Sequence, residues 1–385
     1  MEIGGKRIVT RFEMRPPAVV STPPIAFGVA NLGAARLRQV PVDDEKGGPR
    51  PRPGISFFIV RDAVVHTGLG LVTAGGYFFK DFLYHVHLPR LRGWSGACGP
   101  QPDGAFVMPE SASTHRLEHA AHLLAGNGHN YYHWMIDVLS RLDRATLAAH
   151  CDSDRLQMLL PKPDRDFQRQ SFDLLFHDAK DVSFCGLDTI LAVDNLYVVP
   201  DLSGGGFIYH PCVLQSFARM RADCGLEFRP ARQRIYISRR DTRHRRLLNE
   251  DEVIDAVRAV GFEIIELTGM PVVEQMRLFA EASHIVAPHG AGLTNLVFAN
   301  PGATLLELHM DAYTQWSFRR LCGVVGLNYG CLIGTSQTSW DRSAHVHEWR
   351  IDVSALRSVL ASERFAGSES ADGAMRSIVR RSKAW

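Results

Sequence analysis

The chain has 385 residues, 45% of them hydrophobic and 22% charged, which is typical of a folded globular protein and excludes a disordered one. Its 43 Lys and Arg residues nearly balance 41 Asp and Glu residues, so the net charge of +2 excludes a general attraction to nucleic acid. No signal peptide or run of about 18 apolar residues is visible, and the seven cysteines have no metal-binding or disulfide spacing. These features predict a cytoplasmic protein with reduced thiols, either soluble or peripheral to the inner face of the membrane.

The first 100 residues predict a β-rich extension that precedes the main fold. Its opening half is rich in Pro, Gly and Arg, which indicates a turn-rich lead-in. Short β-prone runs interrupted by glycine follow, and they are typical of a hairpin or meander: SFFIVRDAVV, GLGLVTAG and YFFKDFLYHVHL.

Beyond residue 100, helical and strand patterns alternate. A helical pattern covers residues 129–150, and the strand patterns LQMLLP and NLYVVP are followed by further helices. From Arg234 onward the strand patterns RIYIS, FEIIEL, HIVAP and TLLEL are separated by helical ones. One of these helices is predicted to begin at a capping box formed by Asn249 and Glu252. This alternation predicts parallel sheets wound in right-handed βαβ units.

We therefore predict an α/β fold of two Rossmann-like lobes in series. The first lobe covers residues 1–225, including the lead-in of residues 1–100, and the second lobe covers residues 226–360. Residues 361–385 are polar and contain Gly and Ser, which predicts a surface tail.

The segment HGAG, from His289 to Gly292, interrupts two apolar runs at the end of a predicted parallel strand. Ligands bind beyond the carboxyl ends of such strands, and glycines let a ligand approach the backbone closely. The helix expected next would present free N–H groups to an anion. The segment is therefore suited to a diphosphate, although a plain turn explains the same residues, and it matches neither a dinucleotide fingerprint nor a P-loop.

Two other strand ends are predicted at the same edge of this sheet. Arg239 and Arg240 directly follow RIYIS, and their guanidinium groups could bind phosphate oxygens. Glu307 lies near the end of TLLEL, where a carboxylate could accept hydrogen bonds from ribose hydroxyls. A solvated basic loop and an ion-paired strand end are the alternatives. Taken together, the three strand ends predict a nucleotide site.

In the first lobe, one predicted helix places His133 and Asp137 on the same face, four residues apart. Such a pair in a cleft could act as a general base, with the imidazole held in orientation by the carboxylate. The alternative is an ion pair between Asp137 and Arg141, one helical turn further on.

Two patterns resemble metal sites only superficially. His115, His119 and His122 lie close together in the sequence but lack the spacing of known zinc sites. Asp152 and Asp154 match the Asp-x-Asp that holds a metal and a nucleotide-sugar diphosphate, but they precede a predicted strand instead of ending one. We therefore predict no metal.

The ordered set of motifs resembles glycosyltransferase family 61, whose bacterial members are often described as capsular polysaccharide biosynthesis proteins. The resemblance runs from Asn130 to Leu308 and is densest from Arg234 onward. The chain departs from the family pattern in LSRL, where LPRL is commoner, and at Pro288, where a small residue is usual. The matching segments are NYYHWMIDVLSRL, RIYISRRD, LLNEDEVIDAVRAVGFEII and VEQMRLFAEASHIVAPHGAGLTNLVFANPGATLLEL.

The resemblance implies a GT-B-type fold, in which two Rossmann-like lobes face a cleft and the second lobe holds the donor. It implies inverting, metal-independent transfer of a sugar, UDP-linked in relatives, to a glycan hydroxyl in polysaccharide biosynthesis, with no further cofactor. Asp137 matches the family's catalytic carboxylate, and His133 would orient it or substitute for it. The donor-site positions are Arg239, His289, Gly290, Ala291, Gly292, Asn295 and Glu307, to which the strand-end argument adds Arg240.

Two other functions stay open on the sequence alone. A sugar-nucleotide epimerase or hydrolase of the same shape would need no acceptor, and a non-catalytic nucleotide- or glycan-binding protein would lack the transfer step. For a transferase, the family resemblance implies a glycan or lipid-linked saccharide as acceptor. Basic surface runs permit peripheral membrane contact, and homo-oligomerisation is compatible with the sequence.

Overall fold

The chain divides into two compact units, residues 1–18 with 53–204 and residues 19–52 with 205–385. The division precedes the boundary predicted at residue 225, and part of the predicted lead-in belongs to the second unit. No helix in the described part of the chain is long and apolar enough to cross a membrane. The structure is a computed structural model that describes residues 2–3, 6–26, 47–67, 70–75, 77–79, 99–100, 106–107, 115–124, 128–141, 156–176, 182–185, 189–199, 202, 209–227, 231–337 and 347–366.

The strands are numbered in chain order. They are β1 (Glu2–Ile3), β2 (Lys6–Arg7), β3 (Val9–Arg15), β4 (Ala18–Thr22), β5 (Gly48–Arg52), β6 (Ile55–His66), β7 (Leu71–Ala74), β8 (Tyr77–Phe78), β9 (Gly99–Pro100), β10 (Phe106–Val107), β11 (His115–His122), β12 (Leu156–Pro161), β13 (Val182–Cys185), β14 (Ile190–Val198), β15 (Gln233–Ile237), β16 (Glu263–Ile265), β17 (Ala282–Pro288), β18 (Thr304–Met310), β19 (Asn328–Ser336) and β20 (Trp349–Arg350).

The helices are numbered in the same way. The α-helices are α1 (Tyr131–His133), α2 (Asp166–Phe176), α3 (Gln215–Asp223), α4 (Glu250–Arg258), α5 (Val272–Glu281), α6 (Ser317–Val325), α7 (Val353–Leu360) and α8 (Glu363–Ala366). Helix α1 continues as a π-helical turn over Trp134–Val138 and a 3-10 turn over Leu139–Arg141. Two further 3-10 helices cover Pro211–Leu214 and Ala291–Phe298.

The first unit is built on a mixed sheet in the order β13-β12-β11-β14-β6-β7-β8, with β3 also paired to β6. Strands β11 to β14 pair in parallel, and the remaining strands are antiparallel. The described part of the lead-in is therefore mostly paired strand and not turns. The sequence does not predict β11, because HRLEHAAH is polar and only its last three residues are buried.

The structure bears on the sequence predictions about the histidines and the helix of the first unit. His119 and His122 are three positions apart and therefore lie on opposite faces of β11, so the three upstream histidines do not converge. His122 lies 2.8 Å from the carbonyl of Gly70, and burial together with the charge of Arg141 lowers its pKa to about 3. The predicted helix of residues 129–150 is described only to Arg141, and Asp152 and Asp154 lie outside the described residues.

The second unit contains a sheet in the order β16-β15-β17-β18-β19-β20, parallel except for β20. Helix α4 connects β15 to β16, and α5 connects β16 to β17, so the strand–helix alternation predicted from Arg234 is confirmed. Glycines with positive φ follow the ends of α3 and α4, at Gly225 (φ 65°) and Gly261 (φ 82°).

The capping box predicted at the start of α4 is wrong. The side chain of Asn249 makes no capping hydrogen bond, and instead it pairs with the backbone of Ile351, donating to its carbonyl (2.9 Å) and accepting from its N–H (3.1 Å). Asn249 therefore joins α4 to the C-terminal strand and helices. The sequence contained the right residue type for a cap, but a distant backbone segment takes its side chain.

The start of the predicted tail belongs to the core of the second unit. Phe365 in α8 is buried, its ring stacks on Phe262, and its carbonyl lies 2.8 Å from Nε2 of His284. The same core contains Leu306 and Leu308 from one face of β18. The other face of β18 is therefore left for the side chains that form the candidate site.

Candidate active site

The HGAG segment forms a turn at the carboxyl end of β17, as predicted. The N–H of His289 donates to the carbonyl of Leu308 at 2.8 Å, so the turn stays attached to β18. Gly290 has an extended backbone (φ −179°) that any residue could adopt. Its lack of a side chain matters for another reason, because a Cβ at this position would collide with the guanidinium group of Arg239. The structure thus brings together two of the predicted donor-site positions, Arg239 and Gly290.

The rest of the segment is held from within. Asn295 is fully buried and its side-chain amide donates to Oε1 of Gln275 (2.8 Å) and to the carbonyl of Gly292 (3.1 Å). A Cβ on Gly292 would meet the side chain of Leu267. Ala291 begins the predicted helix, which is of the 3-10 type. Asn295 and Gly292 therefore fix the shape of the turn by packing and hydrogen bonding.

The backbone of Arg239 is held by a hydrogen bond, whereas its side chain has an N–H group that is free to bind a ligand. Its N–H donates to Oε1 of Glu250 at 3.0 Å, and the same oxygen accepts from the hydroxyl of Ser238 at 2.9 Å. Its guanidinium donates to the carbonyl of His244 (3.3 Å), but its buried Nε has no hydrogen-bond partner among the described residues. Burial, and after it the nearby charge of Arg245, lowers the pKa of Arg239 to about 10. The group remains a cation at neutral pH with an unused donor.

Arg240 points elsewhere. Its guanidinium forms an ion pair with Asp251 in the first turn of α4, and it is substantially exposed. The structure therefore separates the two adjacent arginines that the sequence treats alike, since only Arg239 lies against the HGAG turn.

Arg245 is a site residue that the sequence did not single out. Its guanidinium lies 4.6 Å from the ring centroid of Tyr313, and the ring of Tyr313 lies 5.7 Å from that of His289. Its backbone has a positive φ of 52°, which is unusual for an arginine and costs about 1–3 kcal/mol. Nε1 of Trp349 donates to its carbonyl at 2.9 Å, which helps to hold this conformation. The only sequence signal was the local excess of arginine between Arg229 and Arg246.

Glu307 is fully buried and both of its oxygens are used. Oε1 lies 2.6 Å from Nδ1 of His289, and Oε2 accepts from the hydroxyl of Tyr329 at 2.8 Å and lies 3.2 Å from Nε2 of His309. Burial by itself would raise the pKa of Glu307, but the two histidines outweigh it and lower the pKa to about 2. The carboxylate is therefore ionised and accepts from its neighbours.

One ligand atom each from His289, Glu307 and His309 lie within 4.8 Å of one another, a spacing at which three such groups could hold a metal ion. The contacts among them are those of hydrogen-bonded partners. Metal independence stays a prediction.

In the first unit, His133 and Asp137 form the predicted pair. Nδ1 of His133 lies 2.5 Å from Oδ2 of Asp137, and Asp137 lies within the π-helical turn. Such turns occur frequently at functional sites, because they displace side chains from the regular helical positions. The side chain of His133 is 19% exposed and that of Asp137 only 5%, so the imidazole is the more accessible partner. Arg141, the alternative partner, donates to the carbonyl of Leu124 at 3.0 Å.

Part of the chain matches a known protein family. Residues 131–306 match the model of the family described as Glycosyltransferase 61. The resemblance of these residues to glycosyltransferase family 61 is therefore confirmed. The matched segment includes the His133–Asp137 pair, Arg239 and the HGAG turn, and Glu307 directly follows its end.

Several curated relatives are similar to this chain over a shorter stretch. The chain is 31% identical over 97 residues to a beta-1,2-xylosyltransferase of Arabidopsis thaliana, covering 22% of this chain and 18% of that protein. It is 30% identical over 101 residues to the EGF domain-specific O-linked N-acetylglucosamine transferase of Mus musculus (25% and 19%). It is 36% identical over 92 residues to beta-1,2-xylosyltransferase RCN11 of Oryza sativa subsp. japonica (22% and 17%). The chain thus spans less than a fifth of the length of these relatives.

Proposed function

We propose that this chain is an inverting, metal-independent glycosyltransferase of family 61 that moves a sugar from a UDP-linked donor to a glycan hydroxyl. The relatives, which are named as transferases of xylose or N-acetylglucosamine, support a sugar donor, and the family match supports a glycan acceptor. A GT-B arrangement and a role in polysaccharide biosynthesis follow from the resemblance, and a cytoplasmic location follows from the sequence features described above. All three belong to the same proposal.

One observation carries the donor assignment, namely the cluster of basic groups beside the HGAG turn. Arg239 lies directly on Gly290, and burial, followed by the nearby charge of Arg245, lowers the pKa of Arg239 to about 10. No carboxylate forms an ion pair with Arg239 among the described residues, and Glu307 is already saturated by three donors. A buried guanidinium with an unused Nε–H beside a strand-end turn favours an anionic ligand, such as a diphosphate.

The same cluster would stabilise the leaving group. In an inverting transfer, an acceptor hydroxyl attacks the anomeric carbon while negative charge grows on the departing diphosphate. The free Nε–H of Arg239 and the backbone of the HGAG turn would meet this charge where a metal ion otherwise would. One fixed donor of this kind contributes about 2.7–4 kcal/mol to lowering a barrier.

Asp137 and His133 would activate the acceptor hydroxyl. The proton of the hydroxyl leaves as the new bond forms, so a base held close to it is effective without an extreme pKa. The short contact between His133 and Asp137 lets either group take the proton while the other stabilises the resulting charge. The resemblance assigns the base to Asp137.

A thermal-shift screen of the full chain against UDP-, GDP-, CMP- and TDP-sugars tests the donor assignment. We expect UDP-sugars to raise the unfolding temperature, because a ligand that binds only the folded state stabilises it. Arg239→Ala should abolish the shift, whereas Arg258→Ala, which removes an exposed arginine of α4, should retain it. The donor assignment fails if no nucleotide-sugar shifts the wild type. Consumption of UDP-sugar without any acceptor would indicate the epimerase or hydrolase instead.

A further inference from the structure

Glu307 cannot easily do what the sequence suggests for it. A carboxylate that binds ribose must offer an oxygen to the ligand, yet the side chain of Glu307 is 0% exposed and both oxygens already have partners. A ribose hydroxyl would have to displace His289 or Tyr329 from a buried carboxylate. Such an exchange leaves a buried donor unsatisfied, which is unfavourable.

His289 is the member of this network that reaches the surface of the site. Its side chain is 10% exposed, and it lies between Pro288 and Gly290, the residue on which Arg239 lies. Its ring is packed among the rings of His309 (5.4 Å), Tyr313 (5.7 Å) and Phe318 (5.2 Å). These contacts fix the plane of the imidazole, and its Nδ1 is occupied by Glu307. Nε2 is therefore the ring nitrogen left for a ligand.

The hydrogen bonds also decide where the proton of His289 lies. Burial, followed by the Glu307 carboxylate, raises the pKa of Tyr329 well above its usual value, so its hydroxyl keeps its proton and donates. An ionised carboxylate only accepts, so Nδ1 of His289 must also donate. Burial lowers the pKa of His289, an effect that Glu307 opposes and that the charges of His309 and Arg245 reinforce. The neutral imidazole then carries its proton on Nδ1 and a lone pair on Nε2.

We propose that Glu307 is a positioning residue that fixes the orientation and tautomer of His289, so that Nε2 of His289 accepts a hydrogen bond from the bound nucleotide-sugar. Glu307 itself does not touch the donor. This inference rests on the proposed function for the identity of the ligand, but the arrangement of Glu307 and His289 can be tested without it. A carboxylate that orients an imidazole through Nδ1 is a recurring device in catalytic and metal sites.

The substitution Glu307→Gln makes a specific prediction about the tautomer. Tyr329 and His309 both contact Oε2, so we expect the carbonyl oxygen of the glutamine to take that position and accept from them, and its NH2 group to face His289. Nδ1 of His289 would then have to accept, and its proton would move to Nε2. The substitution preserves the shape of the side chain while reversing the tautomer that Nε2 presents to the ligand.

Nitrogen-15 NMR of histidine in the ligand-free protein tests this step. We expect wild-type His289, assigned by its loss in His289→Gln, to carry its proton on Nδ1 near pH 7.5, and Glu307→Gln to carry it on Nε2. Finding the proton on Nε2 in the wild type would overturn the proposal even if Glu307→Gln fails to fold. This measurement needs no donor, so it stands apart from any failure of the proposed function.

A double-mutant cycle for UDP affinity, measured by calorimetry, tests whether Glu307 acts through His289. We expect His289→Gln and Glu307→Gln each to weaken UDP binding about tenfold, as for one hydrogen bond worth about 1.4 kcal/mol. In the His289→Gln background, Glu307→Gln should change the affinity by less than about twofold. An equal tenfold loss in that background would show that Glu307 contacts the donor directly. Glu274→Gln, which removes an exposed carboxylate of the same unit, should leave the affinity unchanged.

Discussion

Each of the two units contains a carboxylate–imidazole pair. The distance between the carboxylate and the imidazole is nearly the same in both pairs, but the surroundings of the pairs differ. Nδ1 of the histidine lies 2.5 Å from Asp137 in the first unit and 2.6 Å from Glu307 in the second. His133 and Asp137 lie one helical turn apart in a π-helical segment, whereas His289 and Glu307 come from neighbouring strands. The same two groups can therefore be brought together by local helical geometry or by sheet topology.

The surroundings suit the two pairs to different tasks. Glu307 is ionised and accepts from three groups, so its proton affinity is too low for it to serve as a base. His289 is confined between three rings. His133 is 19% exposed, about twice the exposed fraction of His289, and an acceptor hydroxyl can approach it more easily. The comparison supports the roles proposed above, which are proton transfer for the first pair and a fixed hydrogen bond for the second.

The largest expected effect comes from removing the base of the first pair. Asp137→Asn should lower kcat about a thousandfold, within the range for loss of a general base, and leave UDP affinity unchanged. His133→Gln should lower kcat less, about tenfold to a hundredfold, if the histidine orients the carboxylate. Initial rates with saturating UDP-sugar and acceptor would measure both variants.

The exposed carboxylate Asp173 of α2 provides the matched control, and Asp173→Asn should keep the wild-type kcat. Full activity in Asp137→Asn would show that the base is not Asp137. If His133→Gln were instead the more damaging of the two substitutions, the roles within the pair would be reversed.

A smaller effect should appear in acid and come from the second pair. The folded-state pKa of Glu307, about 2, lies below the ordinary value of 4.5, so its ionised form stabilises the fold above pH 4.5. This contribution, on the order of a few kcal/mol, is lost as the pH falls from 4.5 toward 2, because the unfolded chain binds the proton first. Glu307→Gln should therefore show a flatter dependence of the urea midpoint on pH over this range.

Glu274→Gln should keep the wild-type dependence, since its carboxylate is exposed and has no comparable partners in the described structure. An unchanged slope in Glu307→Gln would mean that His289, His309 and Tyr329 do not favour the ionised carboxylate. The second pair would then not be the more tightly held of the two.

The sequence revealed those features that depend on local spacing. The four-residue separation of His133 and Asp137 predicts their contact, and the strand–helix alternation after Arg234 predicts the parallel sheet and the position of the HGAG turn. It could not show that Glu307 is saturated, because Tyr329 and His309 reach it from a neighbouring strand and from two residues along its own strand. Nor could it separate Arg239 from Arg240, since their side chains leave adjacent positions toward different partners.

The smallest expected effect concerns a contact beside the second pair. The guanidinium of Arg239 lies on Gly290, the residue that follows His289. A Cβ in Gly290→Ala would meet the guanidinium of Arg239, whose side chain must then shift away from the turn. Because the backbone of Gly290 is extended, alanine adds no conformational strain, and the loss should come from Arg239 alone. We expect UDP affinity to fall about fivefold to tenfold, or about 1–1.4 kcal/mol. In the Arg239→Ala background the new methyl group has room, so Gly290→Ala should cost nothing further. A loss that persists in that background would show that the substitution disturbs contacts between the backbone of the turn and the donor. The HGAG amides, and not Arg239, would then be the main phosphate-binding groups.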